Sequence, residues 1–220
     1  MQICKIEHIH KDYRMGEIVT PLKDVTLTVN EGDFIAVEGP SGIGKSTLLY
    51  VMGTLLKPDE GSYTFAGKDV TAFNDSQASE FRAKQIGFLF QDSTMIQALT
   101  LRENLIFTQG VGGCKKDLKK IDDLLYQFGL EDRADFFPHQ LSGGQRRRAM
   151  AARALIHNPE LILADEPTND LDDHWSQEMI QILKEQTEKG TAVVMVTHNS
   201  RWAEAANRRC RLDEGVLVDL

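Results

Sequence analysis

The stretch that most constrains this chain is DFIAVEGPSGIGKSTLLYVMGTLL, residues 33–56. An apolar run ends at Gly39, a glycine-rich octet GPSGIGKS (39–46) follows, and residues 44–56 read as a helix beginning in that loop. The octet fits G-x-x-x-x-G-K-[ST] between the strand and the helix that this pattern requires. Gly39, Gly42 and Gly44 let backbone N–H groups turn inward on an anion, and the helix N-terminus adds its positive end. Lys45 supplies a point charge for β/γ-phosphates, and Ser46 offers a hydroxyl to Mg²⁺. Ile43 is bulky and β-branched, so it is read as pointing away from the phosphates. A glycine-rich turn with a chance Lys-Ser is the alternative, and the flanking strand and helix weigh against it.

The bulk composition narrows the classes. The 220 residues suffice for one large domain or a core with an insertion. With 41% hydrophobic and 26% charged residues, the chain is expected to be soluble and globular. A formal net charge of −8 argues against general nucleic-acid binding, which needs a basic face. Cys4, Cys114 and Cys210 are odd in number and far apart, which fits a reducing cytoplasm better than a disulfide framework or a metal site. The opening MQICKIEHIHKDY has no signal-peptide apolar block, and no uncharged apolar run reaches the length of a membrane span.

Along the chain, 3–9, 25–29, 33–39, 61–68, 86–91, 160–165 and 191–198 read as strands, the fourth with a turn, and two short strands flank the turn Asp213-Glu214-Gly215. From about residue 75 to 157 the patterns are mostly helical, and another amphipathic helix spans about 173–188. Apolar strands alternating with helices predict a parallel sheet covered on both faces, and the helical block predicts a second subdomain.

Two further segments carry chemistry. LILADEP (161–167) is an apolar strand ending in two carboxylates; beside a phosphate loop, Asp165 is placed to hold Mg²⁺, in part through water, and Glu166 to accept a proton from an attacking water. LSGGQ (141–145) precedes a helix-forming stretch with three arginines. Ser142 is a good N-cap, while Gly143 and Gly144 leave the backbone bare to close approach. Taken alone, an N-cap with a flexible turn explains it as well as a binding role.

GPSGIGKST, LSGGQ and LILADEPTNDLD, in that order, with THN after the next strand, resemble the ATP-binding cassette of ABC transporters over almost the whole chain. LSGGQ is the most specific of these, because generic phosphate-loop ATPases lack it. The resemblance implies an α/β fold: a RecA-like P-loop NTPase core with a small antiparallel β part and an inserted α-helical subdomain. The expected division is about 1–91 and 158–220 for the core and about 92–157 for the helical part.

The resemblance also implies the roles of single residues. ATP is held by Tyr13, stacked on adenine, and by Gly39, Pro40, Ser41, Gly42, Ile43, Gly44, Lys45, Ser46 and Thr47. Ser142, Gly143, Gly144 and Gln145 cap the γ-phosphate bound to a second copy of the chain, and Asp170 and Asp172 lie in the segment between the two sites. Asn169-Asp170 replaces the smaller residues common there. Glu166, His198 and Gln91 serve hydrolysis, and Ser46, Gln91 and Asp165 serve Mg²⁺. Arg148 matches a usual arginine of the family, whereas Arg146 and Arg147 either add positive potential or form a solvated helix face.

Within the family the chain is similar to the subgroup of lipoprotein-releasing ATPases, macrolide and peptide exporters and the cell-division cassette. That similarity implies an ATP-dependent homodimer driving a transmembrane permease, located on the cytoplasmic face of the membrane, with export of lipoprotein, peptide or drug. No nucleic-acid partner is expected. The alternative is a soluble or scaffold cassette of cell-division or translation-factor type, without transport. Met95, Ile96, Leu99 and Leu101 either line the groove for the permease or form the helical part's own core.

Overall fold

A computed structural model describes residues 1–90 and 95–220. Its strands are β1 (Gln2–Met15), β2 (Glu17–Asn30), β3 (Phe34–Glu38), β4 (Glu60–Phe65), β5 (Lys68–Asp69), β6 (Ile86–Leu89), β7 (Leu161–Asp165), β8 (Ala192–Thr197), β9 (Arg208–Asp213) and β10 (Val216–Asp219). Its helices are α1 (Lys45–Met52), α2 (Asp75–Gln85), α3 (Leu101–Val111), α4 (Leu118–Gln127), α5 (Gly143–Leu155), α6 (Asp173–Glu188) and α7 (Ser200–Ala203).

Among the described residues the strands form one sheet in the order β5-β4-β1-β2-β10-β9-β3-β8-β7-β6. The run from β9 to β6 is parallel, and β1, β2, β4 and β5 pair antiparallel. This is the RecA-like core with an antiparallel part that the motifs implied.

The parallel strands are buried on both faces, and side-chain alternation sends their residues to two cores. Phe34, Ala36, Ile162, Ala164, Val193 and Met195 face the helices α3–α6. Ile35, Val37, Leu161, Leu163, Val194 and Val196 face α1 and the antiparallel strands. The helical block therefore shares a continuous apolar core with one face of the sheet, through residues such as Leu105, Ile121 and Phe128.

Several boundaries differ from the sequence reading. β1 and β2 run well beyond 3–9 and 25–29, because cross-strand pairs such as Tyr13↔Val19 and Arg14↔Ile18 extend the hairpin past the buried core. Its outer residues are polar or exposed, and register shifts between Ile6 and Tyr13 break the period-two pattern. α1 stops at Met52, four residues short of the expected end, with Gly53 as its C-cap.

Met95 and Leu101 are buried in the helix-facing core, in one apolar cluster with residues of α3, α4 and the sheet; they do not line a surface groove. Ile96 is exposed and Leu99 half-buried. No helix among the described residues is long and apolar enough to cross a membrane.

Candidate active site

The site gathers where neighbouring parallel strands end together. Glu38 of β3 pairs with Thr197 of β8, and Asp165 of β7 pairs with Val196 of β8. The residues that follow these ends are Gly39, His198 and Glu166. Carboxyl ends of parallel strands are where open α/β sheets bind ligands.

From β3 the chain enters the loop 39–44 and then α1. Gly44 has φ 116°, and a Cβ there would stand 2.7 Å from the Pro21 carbonyl oxygen, so glycine is required by conformation and by contact. Lys45 is buried, and its ammonium donates to the carbonyls of Gly39 (2.7 Å) and Pro40 (2.9 Å). Ile43 is partly buried and packs on the apolar core. Thr47 opens onto β1, where the Tyr13 and Thr47 hydroxyls are 3.4 Å apart. Tyr13 is thereby brought to the start of α1.

At the end of β7, Asp165 Oδ2 accepts a 2.7 Å hydrogen bond from the Ser46 hydroxyl. Burial pushes the Asp165 carboxyl above its ordinary pKa, against the lowering effect of the Ser46 hydrogen bond. Next to it, Glu166 adopts φ 47°, an uncommon conformation for a residue with a side chain. Its backbone N–H donates to the Val196 carbonyl. Its carboxylate is held by three groups at the end of β8: the Thr197 hydroxyl donates to Oε2 (3.1 Å), the His198 N–H donates to Oε1 (2.9 Å), and His198 Nδ1 lies 2.7 Å from Oε1. Thr197 was not singled out from the sequence, although it belongs to the THN motif that located His198.

α5 begins as LSGGQ suggested. Ser142 caps it: its hydroxyl accepts from Gln145 N–H (3.2 Å), and Gln145 Oε1 accepts from Ser142 N–H (2.9 Å). The N-cap reading of Ser142 is thus correct in itself, and it engages the Gln145 side chain as well. The N–H groups of Gly143 and Gly144, in the first turn, have no intrahelical acceptor. A Cβ on Gly144 would stand 3.0 Å from the Asp170 carbonyl oxygen, so the turn 169–171 packs directly on this end of α5. Asp172 caps α6 by accepting from the Trp175 N–H (2.8 Å).

The three arginines divide. Arg146 is exposed and donates to the Leu141 carbonyl. Arg147 is buried rather than part of a solvated face, because α5 turns it under residues 169–171, where its Nε donates to the Asn169 carbonyl (3.3 Å). Arg148 is buried over the Trp175 ring (3.8 Å) and donates to the Phe128 and Gly129 carbonyls. Gln91 lies outside the described residues.

The comparisons with known proteins agree on one family. A family model described as ABC transporter matches residues 22–169. The uncharacterized ABC transporter ATP-binding protein MJ1508 of Methanocaldococcus jannaschii is 38% identical over 221 residues, covering 99% of this chain and 99% of that protein. The macrolide export ATP-binding/permease protein MacB of Bartonella quintana is 39% identical over 219 residues, covering 98% of this chain. The chain spans about a third of such MacB relatives (33% of that one). The dimeric structure of a post-hydrolysis state of the ATP-binding cassette MJ0796 bound to ADP and Pi superposes with a TM-score of 0.92 at 37% identity, over 98% of this chain and 96% of that one. Likeness of this degree, over nearly the whole length, settles the family: the chain belongs to the ABC transporters, as an ATP-binding cassette ATPase.

Proposed function

We propose that this chain is the ATP-hydrolysing subunit of a MacB-like export system and that two copies act as a pair. The observation that carries the reading is the Glu166 carboxylate, held by Thr197 and His198 one residue beyond the Ser46–Asp165 contact. A fixed carboxylate beside a phosphate loop is suited to take a proton from water as its oxygen bonds to the γ-phosphorus and ADP departs.

Each of the other residues has a part in this proposal. Gly39 to Thr47 wrap the phosphates, Lys45 turning its charge from the loop carbonyls toward them, and Tyr13 stacks on the base. Ser46 and Asp165 offer a hydroxyl and a carboxylate 2.7 Å apart, an oxygen pair suited to Mg²⁺, which takes few protein ligands and keeps water and phosphate oxygens. The ion, when bound, supplies positive charge to the phosphate oxygens. Gln91 completes that set in the family pattern. Ser142, Gly143, Gly144 and Gln145 present the start of α5 to a nucleotide on the second copy, with Asp170 and Asp172 between the two sites.

The same reading takes a core of about 1–91 and 158–220 and a helical part of about 92–157, with the permease contact at their junction. A cleft of about 370 Å³ there, lined by Leu55, Phe88, Ile96, Phe107 and Val111, suits an apolar permease segment. The cargo is of the lipoprotein, peptide or drug class, and the cassette sits on the inner face of the membrane through that permease.

The test is Glu166→Gln. Hydrolysis should fall by about a hundredfold or more, while ATP binding persists and a dimer accumulates in gel filtration with ATP. Turnover near that of the parent chain would remove Glu166 as the base. A monomer at saturating ATP would remove the paired site. Co-purification with ribosomes in place of a membrane permease would remove the export reading.

A further inference from the structure

Glu38 is a buried carboxylate at the end of an otherwise apolar strand, one residue before the phosphate loop. A buried charge is costly unless it is paired and hydrogen-bonded, so its partners show what it holds. Alternation along β3 sends Phe34, Ala36 and Glu38 to the same face, the one that carries α7. Along β9, Cys210 and Leu212 enter the opposite core, which leaves Arg209 on the face of Glu38. The contacts follow from that geometry. Arg209 donates through Nε (2.9 Å) and Nη2 (2.7 Å) to Glu38 Oε1, and the Ser200 hydroxyl donates to Glu38 Oε2 (3.1 Å).

Ser200 lies two residues beyond His198, whose N–H and ring contact Glu166 Oε1. The loop carrying His198 is thus fastened at both ends. Thr197 fixes it to Glu166 on one side and receives the Asn199 N–H (3.1 Å), and Ser200 fixes it to the root of the phosphate loop on the other.

We infer that Glu38, clamped by Arg209, is a positioning residue for hydrolysis: through Ser200 it sets the loop of His198 relative to the phosphate loop and so aims the Glu166 carboxylate. The inference rests on the proposed role of Glu166. Glu38 touches neither nucleotide nor water in this scheme. Its effect belongs to the chemical step, because the phosphate cradle itself is built from backbone and from Lys45.

The test uses the whole chain and steady-state ATP hydrolysis, with nucleotide affinity measured separately by titration of a fluorescent ATP analogue. Ser200 is exposed, so Ser200→Ala leaves the fold intact. It should lower kcat by about tenfold and leave affinity within about threefold, since a small misplacement at a reacting centre acts on rate. Ser200→Thr, which keeps the hydroxyl, should restore most of the rate. Arg209→Ala should lower kcat in the same way, with Arg209→Lys restoring only part, because one ammonium cannot reproduce the two-nitrogen contact. Full kcat in both alanine variants overturns the inference, as does a loss of affinity equal to the loss of rate. A parent chain that binds ATP without hydrolysing it would instead overturn the proposed function, so the two failures are distinct.

Discussion

The Ser46 hydroxyl donates a 2.7 Å hydrogen bond to Asp165 Oδ2, joining the start of α1 to the end of β7 across 119 residues of sequence. The contact sets a polar pair at the floor of the site. Burial, by contrast, keeps the Asp165 carboxylate, proposed above to serve Mg²⁺, in surroundings that disfavour its charge.

That conflict is measurable. The Asp165 pKa is raised by burial above 3.8, so the folded chain holds this proton more tightly than the unfolded chain. Its contribution to stability is fully present below the ordinary carboxyl range and is lost as pH rises through the raised value. Asp165→Asn should therefore gain in urea midpoint relative to the parent as pH rises from 4 toward 7, measured in EDTA, while ATPase activity is lost. A difference between the two proteins that does not vary with pH would contradict the buried-carboxylate account.

Lys45→Ala should weaken ATP binding by about ten- to a hundredfold, the worth of a charge-assisted contact in a phosphate site. Lys45→Arg should restore little, because the ammonium sits between the Gly39 and Pro40 carbonyls, where a planar fork does not fit. Equilibrium titration with a fluorescent nucleotide decides the matter. Unchanged affinity in the alanine variant would count against the phosphate loop.

Arg148→Ala should destabilise the chain by about 2–4 kcal/mol, by removing the stack on Trp175 and leaving the Phe128 and Gly129 carbonyls without their donor. Urea unfolding of parent and variant gives the number. A change below about 0.5 kcal/mol, the usual size for a plain surface substitution, would show that the arginine is dispensable to the fold.

The cysteines should divide by reactivity. Cys4 and Cys210 are buried, and burial pushes both thiols up to about 12, whereas Cys114 is exposed. A disulfide reagent at pH 8 should modify one thiol quickly in the native chain and three in denaturant. Rapid modification of two or more in the native state would show that a core opens more readily than its packing suggests.

The local motifs were legible because each is short and its geometry is set by neighbours in sequence. GPSGIGKS needs only a strand before it and a helix after it, and the Ser142–Gln145 capping box closes within four residues. The α6 boundaries were equally plain from their apolar period. β1 and β2 were under-read because His10 to Lys23 carries few buried residues and a shifted register, so hairpin pairing rather than burial defines the strand there. Arg147 was ambiguous because burial depends on residues 169–171, which helix periodicity does not report. Glu38 was a charged residue closing an apolar strand, a visible oddity, yet its partners Arg209 and Ser200 lie 171 and 162 residues away. No spacing rule reaches that far.

The central position of β3 has a consequence for the order in which the protein is made. β3 lies between β8 and β9, so both of its neighbours come from residues 192–213. On a ribosome, the strand that leads into the phosphate loop emerges before either neighbour and waits, without a flanking strand, until residues 192–213 have been synthesised. The apolar edges of β3 must be shielded during that interval by looser contacts, and a nascent chain halted before β8 cannot complete the ATP site, although its loop and α1 are already present.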